Sequence, residues 1–166
     1  MTVNPQLVGR RFELAEPYLV GREHIRDFAR AVQATSPIHT DLAAARAAGY
    51  DDLVAPATYG AVLQDRAMQL LLADELVDFE LKQIVHGDER FTFARHIVAG
   101  DELQAVLEIT GVRALGANAM LTAATTLTDA DGATVVTGTA TLVIGGTNGK
   151  DDANGKDNAD GKEGEQ

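Results

Sequence analysis

Cysteine is absent from all 166 positions of the chain, which excludes disulfides, thiolate nucleophiles and cysteine-ligated metals. Positive charge is scarce as well. Fourteen lysines and arginines face 25 acids, for a formal net charge of -11, and that balance argues against nucleic acid or an anionic membrane as the main partner. The opening MTVNPQLVGRRFELAEPY has no apolar run of signal-peptide type, and no later window approaches the length of a membrane span. The expectation is a soluble, cytoplasmic protein. The four histidines share no tight spacing, so no metal site is expected.

What is present fits one globular domain. Hydrophobic residues make up 45% of the chain, enough for a real core at this length. Beyond residue 144 the composition changes to glycine, asparagine, aspartate and lysine, with three lysines against six acids and no aromatic or branched aliphatic residue. The chain is therefore divided into a domain over 1–144 and an acidic tail over 145–166 that has too little apolar surface to order itself. Within the domain, Ile25, Phe28, Ala29 and Val32 recur at i, i+3, i+4 and i+7, which predicts an amphipathic helix ending near Ala34. His24 falls off that stripe and reads as surface. From Ile84 onward the period changes to two, and short turn signals separate the predicted strands, so antiparallel pairing is expected. Phe12 to Leu14 and Tyr18 to Val20 read as extended pieces ahead of the helices. The fold class is α+β, an antiparallel sheet around a long apolar helix. The unpaired edge of such a sheet favours side-by-side dimerisation.

The chemistry is concentrated in residues 36–63. His39 follows Pro37 in an irregular segment. Asp41 reads as the N-cap of a short helix that stops at Gly49. Thr58 reads as the N-cap of the most apolar helix, running to about Leu72 and expected to be buried on most sides. An imidazole close to a helix N-terminus is a workable arrangement for proton transfer beside a developing anion. Asp65, the acid on that helix, reads as solvated. His96, beside Arg95, reads as surface.

Several stretches together resemble the MaoC-like hydratase/dehydratase family of hotdog proteins. They are Val20-Gly21-Arg22-Glu23-His24-Ile25-Arg26-Asp27-Phe28-Ala29, Ser36-Pro37-Ile38-His39, Ala55-Pro56-Ala57-Thr58, Val85-His86-Gly87-Asp88, Arg90-Phe91 and Ile97-Val98-Ala99-Gly100-Asp101. They are most similar to the actinobacterial branch holding the HadA-type subunits of (3R)-hydroxyacyl-ACP dehydratases. The resemblance implies a hotdog fold and reversible addition of water to a trans-2-enoyl thioester. The substrate would be an acyl-CoA or acyl-ACP, and no cofactor is implied. The family's catalytic pattern runs Gly-Asp-x-Asn-Pro-Leu/Ile-His. Here the histidine is His39, whereas Gln33, Ala34 and Ser36 stand at the glycine, aspartate and asparagine positions.

That departure implies a subunit that shapes the acyl channel beside a MaoC-like partner carrying the acid–base pair. The alternatives are an independent homodimeric hydratase using His39, or an acyl-thioester-binding protein without turnover. His39 is the candidate acid/base and Asp88 the substitute carboxylate. Thr58, Tyr59, Gly60 and Ala61 are the candidate substrate contacts, with a backbone N–H in that turn offered to the enolate oxygen.

Overall fold

A computed structural model describes residues 3–145. The predicted tail therefore lies outside the described residues, except for Gly145, whose N–H donates to the Gln83 carbonyl at 2.8 Å.

Two short strands, β1 (Arg11–Glu13) and β2 (Tyr18–Leu19), precede helix α1 (Arg22–Ala31) and the short helix α2 (Leu42–Ala47). Helix α3 (Gly60–Leu72) follows, and then four long strands: β3 (Ile84–Phe93), β4 (Glu102–Leu115), β5 (Asn118–Thr128) and β6 (Thr134–Ile144). All pairings between strands are antiparallel, in the order β1-β4-β5-β6-β3, with β2 pairing a separate part of β4. On β5 every second residue is buried, as a sheet with one covered face requires. The side chains that fill this face come from α3, whose Leu63, Ala67 and Leu71 are fully buried. This is the hotdog arrangement implied by the sequence motifs.

The expectation for α3 needs one correction. The helix buries a single face, and Ala61, Asp65, Arg66, Gln69 and Leu70 on the other side are exposed. Its start is also one residue later than read. Tyr59 holds the N-cap position without a side-chain capping bond, and Thr58 instead accepts the Ala61 N–H on its backbone carbonyl at 3.1 Å. Asp41 caps α2 as expected, through Oδ1 and the N–H groups of Ala43 (2.8 Å) and Ala44 (3.4 Å).

Close approach between α3 and the sheet is set by two glycines. A Cβ on Gly60 would lie 3.2 Å from the Phe91 ring, and one on Gly138 of β6 would lie 3.0 Å from Gln64 Oε1 and 3.1 Å from the same ring. Phe91 thus lies against the first turn of the helix on one side and against β6 on the other. The end of α1 carries the opposite case. Gln33 has φ of +56°, in the left-handed region that costs an L-residue roughly 1–2 kcal/mol. It closes the helix with Gln33 N–H to Arg30 carbonyl and Ala34 N–H to Ala29 carbonyl bonds, the paired pattern of a left-handed C-terminal cap. The residue at the glycine position of the family pattern keeps a glycine-type backbone.

Two substitutions test these assignments by urea unfolding. Gly138→Ala is expected to lose about 1–3 kcal/mol through overpacking. Gln33→Gly is expected to gain up to about 1 kcal/mol by relieving the left-handed backbone. An unchanged midpoint in either variant contradicts the corresponding assignment.

Candidate active site

His39 closes a single 3-10 turn, Pro37–His39, and is half-buried. Its Nδ1 lies 2.6 Å from the Val54 carbonyl, while the Val54 N–H donates to the Ile38 carbonyl at 3.1 Å. A carbonyl can only accept, so this contact holds the proton on Nδ1 and leaves Nε2 as the basic nitrogen. The ring faces a cavity of about 290 Å³ lined by Ile38, Val54, Ala55, Ala57, Phe93 and His96. Among the described residues no carboxylate lines it. Ala34, at the family's aspartate position, can exchange no proton.

The candidate substrate contacts separate into different environments. Thr58 is exposed and Tyr59 is fully buried. In the turn leading into α3, the Tyr59, Ala61 and Val62 N–H groups donate to the carbonyls of Pro56, Thr58 and Tyr59. Among the described residues the Ala57, Thr58 and Gly60 N–H groups have no such acceptor, and that of Gly60, at the positive end of the helix, is one that an oxyanion could use.

Sequence reasoning missed the role of His24. It is half-buried, and the phenol oxygens of Tyr18 and Tyr59 both lie against its Nδ1, with Tyr59 at 2.8 Å and the two phenols 3.4 Å apart. Phe28 packs edge-on to Tyr59, and the Arg66 guanidinium lies 4.8 Å over the Tyr18 ring. Burial, followed by the hydrogen bond with Tyr18, pushes the Tyr59 phenol far above its ordinary range, so it stays neutral and serves as a fixed strut. Its position immediately before Gly60 makes the cluster the anchor of the helix start. The i, i+3, i+4 stripe of α1 gave no hint of it, because both phenols come from other elements.

A second cavity of about 290 Å³ lies along the exposed flank of α3, lined by Ala61, Gln64, Asp65 and Met68 of the helix and by Leu81, Ile84, His86 and Glu89. Asp88, the carboxylate favoured from sequence, is exposed and lines neither this cavity nor that of His39. The cause is a bulge. Register shifts between His86 and Asp88, so Gly87 is the extra residue, and the inward set changes from Ile84 and His86 to Glu89 and Phe91. Glu89 Oε2 accepts from Gln64 Nε2 at 2.7 Å and lies 3.8 Å from His86 Nδ1. Burial raises the Glu89 carboxyl above its ordinary range, against the lowering effects of Gln64 and His86. Asp65 is exposed, as read, though it borders this cavity. His96 is exposed as well, with its ring edge-on to Tyr50 at 5.5 Å.

Among the described residues no helix is long and apolar enough to cross a membrane. The sheet wrapped on α3 and the imidazole loop ahead of it define the chain as a hotdog-fold protein. Comparison with known proteins then gives the family. Residues 6–138 match the family described as FAS1-like, dehydratase domain region. A UPF0336 protein of Clavibacter michiganensis subsp. michiganensis (strain NCPPB 382) is 52% identical over 146 residues, 88% of this chain and 98% of the relative. A chain of the C-terminally truncated HadBC (3R-hydroxyacyl-ACP dehydratase) complex from Mycobacterium tuberculosis superposes with a TM-score of 0.77. It is 31% identical, over 84% of this chain and 98% of its own. A MaoC-like dehydratase gives a TM-score of 0.73 at 37% identity over 84% of this chain, which spans 42% of that larger one. The chain belongs to the MaoC-like hotdog dehydratase family.

The raised Glu89 carboxyl has a consequence for stability. Its native form holds a proton more tightly than the unfolded chain, so stability falls as pH rises from the ordinary glutamate range through the folded value. Glu89→Gln removes that charge from the cavity wall. In thermal melts across the acidic to neutral range, the variant is expected to gain on the wild type as pH rises, by a small amount because the side chain is 26% exposed. A gap that narrows with rising pH contradicts the assignment.

Proposed function

We propose that the chain is a subunit of a (3R)-hydroxyacyl thioester dehydratase or R-specific enoyl hydratase, shaping the acyl channel beside a MaoC-like chain that carries the complete acid–base pair. The observation that carries this reading is the His39 cavity, which has an oriented imidazole but, among the described residues, no carboxylate on its walls. The likeness to a chain of the HadBC complex supports both the reaction and the assembly. The assembly is further supported by β3, which terminates the sheet among the described residues with one edge unpaired and is exposed along most of its length. Edge-to-edge pairing of two such strands satisfies their open N–H and C=O groups without new secondary structure.

In the hydration direction, a base takes one proton from water as its oxygen bonds to Cβ. The thioester carbonyl collects the charge as an enolate, and an acid then protonates Cα. His39 Nε2 can accept or return one of these protons, and the Gly60 N–H meets the enolate oxygen. A carboxylate from the partner completes the set. A second reading, an independent hydratase, is favoured by the fixed His39 tautomer, which has no structural need to leave Nε2 free.

The test is loss of enoyl absorbance from crotonyl-CoA and longer enoyl-CoAs. The chain alone is expected to be nearly inactive, and addition of a MaoC-like chain with an intact Asp/His pair is expected to restore turnover. If the chain alone turns over and His39→Ala reduces the rate by about 10²–10⁴, the independent reading replaces the first. Absence of turnover in both settings removes the hydro-lyase reading.

A further inference from the structure

The His39 cavity has a second imidazole on its wall, that of His96. One short segment places both. The Val54 carbonyl orients His39 through Nδ1 at 2.6 Å, and Val54 pairs with Val98 in an isolated antiparallel bridge. On either side of that bridge the Ala55 N–H donates to the Ile97 carbonyl and the Ala99 N–H to the Leu53 carbonyl, both at 2.9 Å. Leu53, Ala55 and Ile97 are buried. The backbone that presents His96 is therefore clamped to the backbone that fixes His39.

The His96 ring lies between two aromatic rings, Tyr50 at 5.5 Å and Phe93 at 6.3 Å. Among the described residues neither of its ring nitrogens is tied to protein by a hydrogen bond; the bond recorded at His96 runs from Arg95 Nη1 to its carbonyl at 3.1 Å. The ring also lines a neighbouring cavity of about 420 Å³, together with Tyr50, Asp51, Arg95 and Asp101. It thus borders the apolar space of His39 and a polar, charged one. Arg95 is paired there with Asp101 at 2.8 Å and Asp129 at 3.4 Å. The ionisable groups around His96 are His39 on the shared cavity, Tyr50 and Asp51 from the loop after α2, and Arg95 and Asp101 from its own segment. The other side chains on the His39 cavity, among the described residues, are aliphatic or phenyl groups. Two imidazoles are left as the groups that can exchange a proton with a bound molecule.

We propose that His96 is the second proton-transfer residue of this cavity, acting with His39 in place of a carboxylate when the chain works alone. In the hydration direction His39 Nε2 takes a proton from water as the water oxygen bonds to Cβ. The electrons of the Cα–Cβ double bond move through to the thioester oxygen, giving an enolate. The enolate collapses as Cα takes the proton of the His96 imidazolium. Turnover leaves His39 protonated and His96 neutral, and proton exchange with solvent, which His96 meets in the neighbouring cavity, restores both. The inference rests on the hydro-lyase reading above and gives its second form the proton donor that Ala34 cannot be.

The test is enoyl-CoA hydration by the full chain alone, at protein concentrations that resolve a slow rate, beside the same chain assembled with the intact MaoC-like partner. His96→Phe keeps the ring beside Tyr50 and Phe93 without a proton to transfer, and His96→Gln keeps a polar side chain. Each is expected to lower kcat of the chain alone by about 10²-fold with little change in KM. Adding His39→Ala to His96→Phe should cost no more than either change by itself, because the two residues act as a unit. The wild-type rate needs His39 neutral and His96 protonated, so it should fall toward both acid and alkaline pH, and both His96 variants should lose the alkaline fall. A chain-alone rate that the variants keep, a pH profile they leave unchanged, or an additive loss in the double variant overturns the assignment. Turnover by the assembled enzyme with none by the chain alone overturns the role of His96 and leaves the reaction standing. Absence of turnover in both overturns the reaction and the role together.

Discussion

The contact on which the rest depends is the approach of α3 to the sheet across Gly60, Phe91 and Gly138. Hydrophobic burial supplies the attraction, through Leu63, Ala67 and Leu71, but that attraction is non-directional. The distance of approach is set by the absence of two side chains. Because neither glycine has a Cβ, the Phe91 ring enters between helix and β6, and the Gln64 side chain is pressed over the Gly138 backbone. The placing of both cavities follows from this. Phe91 stands between the His39 cavity and the one flanking α3, and the packing that lets it stand there also buries the Gln64 amide.

Strand β3 carries the second layer of consequence. An edge strand is free to bulge, since only one neighbour constrains its register. The bulge at Gly87 turns Glu89 inward and leaves Asp88 outside. Beyond it the strand resumes alternation, and Phe91 and Phe93 follow Glu89 onto the helix side. One extra residue thus decides which carboxylate lines a cavity. The same open edge is the natural docking line for a second hotdog chain under the proposed assembly, which would bring the partner's residues to the flank where α3 is exposed.

Much of this was legible in the sequence, and the boundary has physical causes. The two-residue period from Ile84 onward gave the strands, and the apolar run after Thr58 gave the central helix, because both patterns are enforced by burial of one face. The Asp41 cap was legible because a cap is local. His24 was misread because its partners, Tyr18 and Tyr59, are distant in sequence, and a helix stripe records only apolar burial. Asp88 reads as the substitute carboxylate and Glu89 goes unremarked in the sequence because alternation has no mark for a bulge, although a glycine inside a strand is where one is expected. The one-sided burial of α3 was hidden by its composition. Ala61 and Leu70 look like core residues and are exposed in this chain.

The loss of the family's aspartate makes sense at the end of α1. Ala34 is the third residue past the helix, and its N–H is bonded back to the Ala29 carbonyl within the cap. A carboxylate there would stand at the negative end of α1, where the helix dipole disfavours it by about 0.3–1 kcal/mol. Only a carboxylate with chemistry to perform repays that cost. On the proposed reading the partner provides the proton-transfer carboxylate, and this chain contributes the backbone turn that positions the His39 loop. The structure has that combination. Gln33 holds left-handed geometry at the glycine position of the resembled pattern, His39 holds its tautomer through Val54, and alanine stands where that pattern has its charge.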